Sequence, residues 1–274
     1  MREVTPRSFP AIALVVIVIA YAIILLVVPF ITIIQGAFED GLQPVLDTFS
    51  HIDVRHALLV SFVLSVIALS VNAIFGLITA WVLVRHRFTG RRLFDALVDI
   101  PFVFATPIAG YATIVMFGRT GWFAPTIIPI VFAYPAIVLV KIFVSLPFIT
   151  REIQPVLGTL SPDYEEAAYT IGANRWLTFR RVILPEIWTA LLYGIVLTFA
   201  RMIGEFGAVS VVGGALEGYT ETATTFIFRA LKDRDNTGGY SMSVLLCIIS
   251  VIILIVMNQL KSRFADSAVR QSQG

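Results

Sequence analysis

An all-α bundle of about six membrane-spanning helices is the fold class this sequence predicts, and three observations predict it. Of its 274 residues, 58% are hydrophobic and only 14% are charged, against about 25% charged in ordinary soluble domains. The mean hydropathy is +0.88, and apolar runs recur that reach the roughly 20 residues a helix needs to cross a hydrocarbon core. Lysine and arginine, finally, concentrate in alternate connections between those runs, as topology requires of a polytopic chain.

Six stretches qualify as spans: 10–34, 57–84, 94–118, 126–148, 187–212 and 240–260. The first follows Arg2 and Arg7. It is longer than the apolar region of about 7–15 residues in a secretory signal, and no small-x-small site closes it, so it reads as an uncleaved span. The third and fourth are interrupted by Pro101, Pro107, Pro129, Pro135 and Pro147. Prolines are tolerated in membrane helices where neighbours satisfy the freed carbonyls, so these two spans are expected to be bent and packed against protein.

Orientation follows from the basic residues. One set of connections holds thirteen, from Arg2 and Arg7 through Arg85, Arg87, Arg91, Arg92, Arg151, Arg175, Arg180 and Arg181 to Lys261, Arg263 and Arg270. The alternate set holds five, Arg55, Arg119, Arg229, Lys232 and Arg234. Both termini are therefore expected in the cytoplasm, and the cluster Arg85–Arg92 reads as a topology signal. It lacks the aromatic interleaving of a nucleic-acid surface, so no nucleic-acid partner is expected.

The largest cytoplasmic connection, 150–186, is ordered in composition. Ser161 suits an N-cap, Pro162 the first helical position, and Asp163 and Glu165 the positive end of the helix. Glu166, Ala167 and Ala168 continue the helix, and Gly172 is placed to end it. A second short helix, about 174–182, groups Trp176, Phe179 and Ile183, with Pro185 separating it from the fifth span. Two short helices at roughly a right angle on the cytoplasmic face are the expectation, suited to docking another protein or to packing beneath the bundle.

Enzymatic signatures are missing from the sequence. It has no GxxxxGK[ST] phosphate loop, so ATP hydrolysis is expected on a separate chain, and it has no HExxH or GxSxG. His51, His56 and His86 have no zinc-type spacing, and Cys247 is the single cysteine. No metal or other cofactor is expected.

Glu166-Ala167-Ala168, then Gly172, then Val182-Ile183-Leu184-Pro185, resembles the EAA loop of ATP-binding-cassette importer permeases, with Val182 where that family usually has Ile. The run Ala200–Gly214, ARMIGEFGAVSVVGG, resembles the sulfate/thiosulfate and molybdate permeases of the same class, and Val209–Val212 is similar to the W-type subunit of the sulfate branch. FEDGLQPVL at 38–46, NAIFGLITAW at 72–81 and DIPFVFATPIAG at 99–110 resemble it too. The likeness covers most of 38–214 and fades at both termini and over 217–239, the segment that in this family faces the binding protein.

The resemblance implies a type I importer fold, with 1–274 as one permease domain and 150–186 as its coupling loop. It implies a multi-pass protein of the cell (inner) membrane that acts as a transport subunit and forms half of an oxyanion pathway. The implied partners are ATPase subunits, a second permease subunit (a different chain in the sulfate type, an identical copy in the molybdate type), an extracytoplasmic oxyanion-binding protein and membrane lipid. Asp163, Glu166, Ala167, Ala168, Gly172, Leu184 and Pro185 would make the ATPase contact. A molybdate/tungstate permease is the rival within the class. An ion-driven secondary transporter is the rival outside it, though the inverted repeats such a protein shows are not found.

In the fifth span, Arg201 and Glu205 lie four apart and are expected to pair. The pair reads as a lock between helices or as part of a pathway that also offers Phe206, Gly207 and Ser210. Glycines at 204, 207, 213 and 214 would permit close helix approach or bending. Lys141, within the fourth apolar run, is open to three readings: snorkelling to the interface, pairing with a carboxylate, or attracting an anion. Snorkelling is favoured by its nearness to the cytoplasmic end. Asn72 is expected to make an interhelical hydrogen bond, and Asp95 and Asp99 to pair locally with the neighbouring basic loop.

Overall fold

A computed structural model describes residues 9–123 and 130–271. Part of the fourth expected span, with Pro129, lies outside the described residues. Among those described there are helices and no strand. The chain divides into two compact units, residues 1–51 with 227–245 and residues 52–226 with 246–274.

The first unit opens with α1 (Phe9–Ala22), a π turn (Ile23–Val27) and α2 (Val28–Phe38), which run on as one helical stretch. Leu14, Ile17, Tyr21 and Ile24 are all exposed, as a lipid-facing surface requires. Gly41, at φ 96°, turns the chain into α3 (Leu42–Ser50). Within this unit Thr237 donates to Asp40 at 3.1 Å.

The second unit is built on α4 (Ile52–Arg85), a helix of 34 residues. The third expected span is three helices, α5 (Arg91–Val98), α6 (Ile100–Val103) and α7 (Thr106–Phe117). Pro101 and Pro107 stand in the first turns of α6 and α7, where a missing N–H costs nothing. Each proline therefore restarts a helix. The fourth span is α8 (Tyr134–Thr159), 26 residues with Pro147 and Pro155 inside it. It continues past the expected end at 148 and takes in the first part of the predicted loop.

After α9 (Asp163–Thr170) come α10 (Arg175–Thr178), a π turn (Phe179–Ile183) and α11 (Leu184–Ile203). Pro185 does not separate the short helix from the span, contrary to expectation. The π turn relaxes the helix just where the proline ring would meet the carbonyl of the preceding turn, so helical structure is continuous across it. The fifth run is also not one helix to 212. It stops at Ile203 and restarts as α12 (Gly207–Gly213). Beyond it lie α13 (Ala223–Lys232) and α14 (Asn236–Gln271). Among the described residues, four stretches are long and apolar enough to cross a membrane: Ile12–Phe38, Ile52–Arg85, Arg175–Ile203 and Asn236–Gln259.

Two apolar layers hold the second unit. Val60, Leu64, Ile137, Val140, Val144, Val209 and Val212 join α4, α8 and α12. Ala80, Ile149, Ile153, Leu157, Ile183 and Ile187 join α4, α8 and α11. Polar bonds stitch α4 to α8 along the same seam. Asn72 Nδ2 donates to the Ile142 carbonyl at 3.1 Å, the interhelical bond expected of it, and Thr150 Oγ1 to the Gly76 carbonyl at 3.3 Å.

Candidate functional site

The break in the fifth run creates a polar cluster inside the second unit. Ending α11 at Ile203 frees its last carbonyls, and starting α12 at Gly207 frees its first amides. Lys141, on α8, meets the first need: its Nζ donates to the Met202 carbonyl at 2.9 Å and to Ser65 Oγ of α4 at 2.8 Å. Glu205 meets the second, accepting from the Ala208 amide at 3.0 Å. A cation thus sits at the negative end of one helix and a carboxylate at the positive end of the next. Thr224 adds a hydrogen bond to the Glu205 carbonyl at 2.9 Å.

Lys141 is 1% exposed, so it does not snorkel. It crosses between three helices, and the carboxylate of Glu205 supplies the opposing charge. Arg201 and Glu205 pair as the spacing predicts, at 2.5 Å, with the guanidinium 32% exposed and the carboxylate 3%. The arginine is therefore the accessible face of the cluster. Arg201 pairs with the carboxylate directly and Lys141 lies within its field, so the cluster holds two cations to one carboxylate. Phe206 sits at the break itself, and Ser210 Oγ turns back to the Gly207 carbonyl at 3.0 Å.

Gly207 is held to glycine by crowding. A Cβ there would press into Thr106 Oγ1 and lie 3.1 Å from Pro107 Cδ, and one at Gly110 would lie 2.7 Å from the Ala208 carbonyl. These glycines let α7 and α12 touch backbone to backbone. Gly207→Ala is expected to destabilise the protein by about 1–3 kcal/mol through overpacking, read as a fall in thermal midpoint in lipid nanodiscs.

The loop after α8 has the capping chemistry its sequence predicts. The Asp163 amide donates to Ser161 Oγ at 3.2 Å. Asp163, Glu165 and Glu166 occupy the first turn of α9. At the other end Gly172 has φ 84°, its amide reaches the Tyr169 carbonyl, and Ala173 N–H reaches the Ala168 carbonyl, each at 3.0 Å. That pair of bonds is a Schellman stop, and the left-handed φ is what asks for glycine. Asn174 caps the next helix, accepting from the Leu177 amide at 2.8 Å.

Ala168 is buried, whereas Ala167 and Glu166 are exposed. Leu184 and Pro185 stand at the start of α11, partly buried and exposed respectively. Trp176 and Phe179 stack, as grouped by the sequence, at 5.8 Å between centroids. Ile183 instead turns into the core. Tyr164, Tyr169, Ile171 and Trp176 are exposed, Ile171 at 86%.

Two ion-pair sets were not foreseen. Arg85, at the end of α4, pairs with Glu165 of α9 at 2.8 Å and donates to the Leu160 carbonyl at 3.1 Å. It therefore clamps the loop. Asp95 and Asp99 do not pair with the basic loop beside them. Both meet Arg151 of α8, at 2.7 and 2.6 Å. The guanidinium donates to both carboxylates, through Nε and Nη2 to Asp99 and through Nη1 to Asp95. These partners lie far apart in the chain and carry no local sequence signal. Similarly, Thr220, Glu221, Thr222, Ala223 and Thr225 are buried. That part of the 217–239 segment packs inside the protein.

Residues 72–267 match the family described as binding-protein-dependent transport system inner membrane component. The chain is similar to the sulfate transport system permease protein CysW of Synechocystis, 38% identical over 94% of this chain and 95% of that one. It is similar also to the CysW protein of Escherichia coli K12, 40% identical over 91% of this chain and 87% of that one. Its fold is similar to that in the crystal structure of a bacterial alginate ABC transporter in complex with its alginate pentasaccharide-bound periplasmic protein. There the TM-score is 0.76 at 18% identity, over 92% of this chain and 93% of that one.

Proposed function

We propose, from the premise that this chain belongs to the binding-protein-dependent transport system inner membrane components, that it is one permease subunit of an ATP-driven sulfate importer. Such a chain is a multi-pass membrane protein and a transport subunit, not an enzyme. The observation that carries sulfate as the substrate is the similarity, over nearly the whole length, to sulfate transport system permease proteins. A cation-rich cluster at the helix break supports it, because a dianion crossing an apolar bundle needs compensating charge.

The remaining assignments are readings of the same geometry. Both termini lie in the cytoplasm, by the distribution of basic residues. The segment from Asp163 to Gly172, α9 with its glycine stop, docks an ATPase subunit, with Glu166, Ala167 and Ala168 on or beside the contact, and Leu184 and Pro185 joining it to the fifth span. Arg201, Glu205, Phe206, Gly207 and Ser210 shape the pathway near its midpoint. A second permease subunit completes that pathway, and an extracytoplasmic binding protein delivers the anion. The single-domain reading of 1–274 belongs to the same proposal.

The test is ATPase stimulation of the reconstituted complex by binding protein loaded with sulfate, molybdate or tungstate, paired with labelled-sulfate uptake in cells lacking this chain. Stimulation by sulfate and lost uptake are expected. Stimulation by molybdate or tungstate alone would transfer the chain to the rival substrate, and undiminished sulfate uptake in the deleted cells would sink the proposal.

A further inference from the structure

The connection between α4 and α5 borders an open cavity of about 520 Å³ lined by Arg87, Phe88, Gly90, Arg91, Arg92 and Asp95. The Asp95 carboxylate is already engaged by Arg151 at 2.7 Å. Among the described residues, Arg87, Arg91 and Arg92 have neither an ion pair nor a hydrogen-bonded carboxylate. Three guanidinium groups thus converge with no counter-charge of their own.

Their placement on the helix makes the imbalance sharper. Gly90, in the left-handed region at φ 90°, starts α5, and the first turn holds Arg91 and Arg92 and no acidic residue. Cations at the positive end of a helix dipole are unfavourable. The sequence therefore stacks basic side chains on a site already positive, which an anion would relieve.

An apolar ledge adjoins the cavity. Phe88 and Phe94 meet edge to face at 6.2 Å, and Leu93 and Leu97 are 66% and 47% exposed. Soluble phosphate has no use for such a ledge, whereas acyl chains do. Amphipathic helices with arginine on one face and Leu or Phe on the other lie in the headgroup region of a bilayer.

We propose that this cavity binds the phosphate-bearing headgroup of an anionic phospholipid in the cytoplasmic leaflet, with its chains against Phe94, Leu93 and Leu97. The leaflet rests on the orientation given above. The site itself rests on the three arginines, and lipid there would fasten α5 to the membrane surface next to the Arg151 ion pairs.

The test uses the complete transporter in vesicles of phosphatidylcholine alone or mixed with phosphatidylglycerol. Bound lipid is read by native mass spectrometry of the purified complex. The combined variant R87Q, R91Q and R92Q is expected to retain phosphatidylglycerol about tenfold less than the parent. The combined variant R87K, R91K and R92K keeps the topology signal and is expected to retain an intermediate amount. Equal retention by the parent and the glutamine variant would overturn the proposal. Displacement of the lipid by millimolar inorganic phosphate would assign the cavity to a soluble anion, and crosslinking of the R91C variant to an ATPase subunit would assign it to protein. Either result overturns the lipid assignment. Sulfate uptake in pure phosphatidylcholine is measured alongside, so failure of the transport reading stays distinguishable from failure of this one.

Discussion

Lys141→Met is expected to cost the folded protein about 3–5 kcal/mol, the effect of removing one partner from a buried charge cluster. The ammonium holds the Met202 carbonyl and Ser65 Oγ. Methionine fills similar volume but leaves that carbonyl only the long bond from the Glu205 amide, at 3.4 Å, at the end of α11. Glu205 would keep Arg201 and the Ala208 amide, so its charge would be partly met. The loss should therefore be smaller than for Glu205→Gln, which strands two cations. Combining the two substitutions should recover stability relative to Glu205→Gln alone, because replacing both members of a buried pair is far milder than removing one. Thermal unfolding of the four proteins in nanodiscs measures this as a double-mutant cycle. Strictly additive midpoints would show that Lys141 and Glu205 do not act together.

Arg85→Ala is expected to reduce sulfate uptake by the assembled transporter about tenfold while leaving ATP hydrolysis near its parent rate. The Arg85 and Glu165 side chains are 13% and 14% exposed, so their ion pair is better shielded from solvent and salt than one on the open surface. Losing the ion pair, and with it the guanidinium's hydrogen bond to the Leu160 carbonyl, costs about 1.5–3 kcal/mol, the range for a hydrogen bond to a charged group. If the loop docks an ATPase subunit as proposed, one held that much more weakly would still dock but would no longer move α4 with it. The exchanged pair, Arg85→Glu with Glu165→Arg, should restore part of the uptake. Uptake in Arg85→Ala equal to the parent would show that the clamp has no part in coupling.

Local features of this molecule were legible in the sequence because they are encoded locally. The Ser161 cap, the Gly172 stop, the Asn72 bond and the Arg201–Glu205 pair each follow from residue type and a short spacing. The third and fourth spans were recognisable as irregular from their prolines. The joins between distant segments were not legible. Arg85 finds Glu165, and Arg151 finds Asp95 and Asp99, only after α4, α5 and α8 have packed. Lys141 was visible as a charge in an apolar run, yet snorkelling was the natural reading until the helix break gave it a carbonyl to hold. That break was itself hard to foresee. GEFG in an apolar run marks flexibility, but it takes the Thr106–Pro107 surface against Gly207 to make an interruption worthwhile.

The unbroken helical path from Arg175 to Ile203 has a mechanical consequence. Its 29 residues span about 43 Å at 1.5 Å per residue, and across the π turn the Leu184 amide still bonds back to the Phe179 carbonyl. One end carries exposed Trp176 beside the loop, and the other ends on the carbonyl gripped by Lys141. Such a rod is a lever. A tilt of about 10° about its middle would swing its two ends about 4 Å in opposite directions, so a push at the surface arrives among the charges at the bundle's centre as a displacement longer than a hydrogen bond.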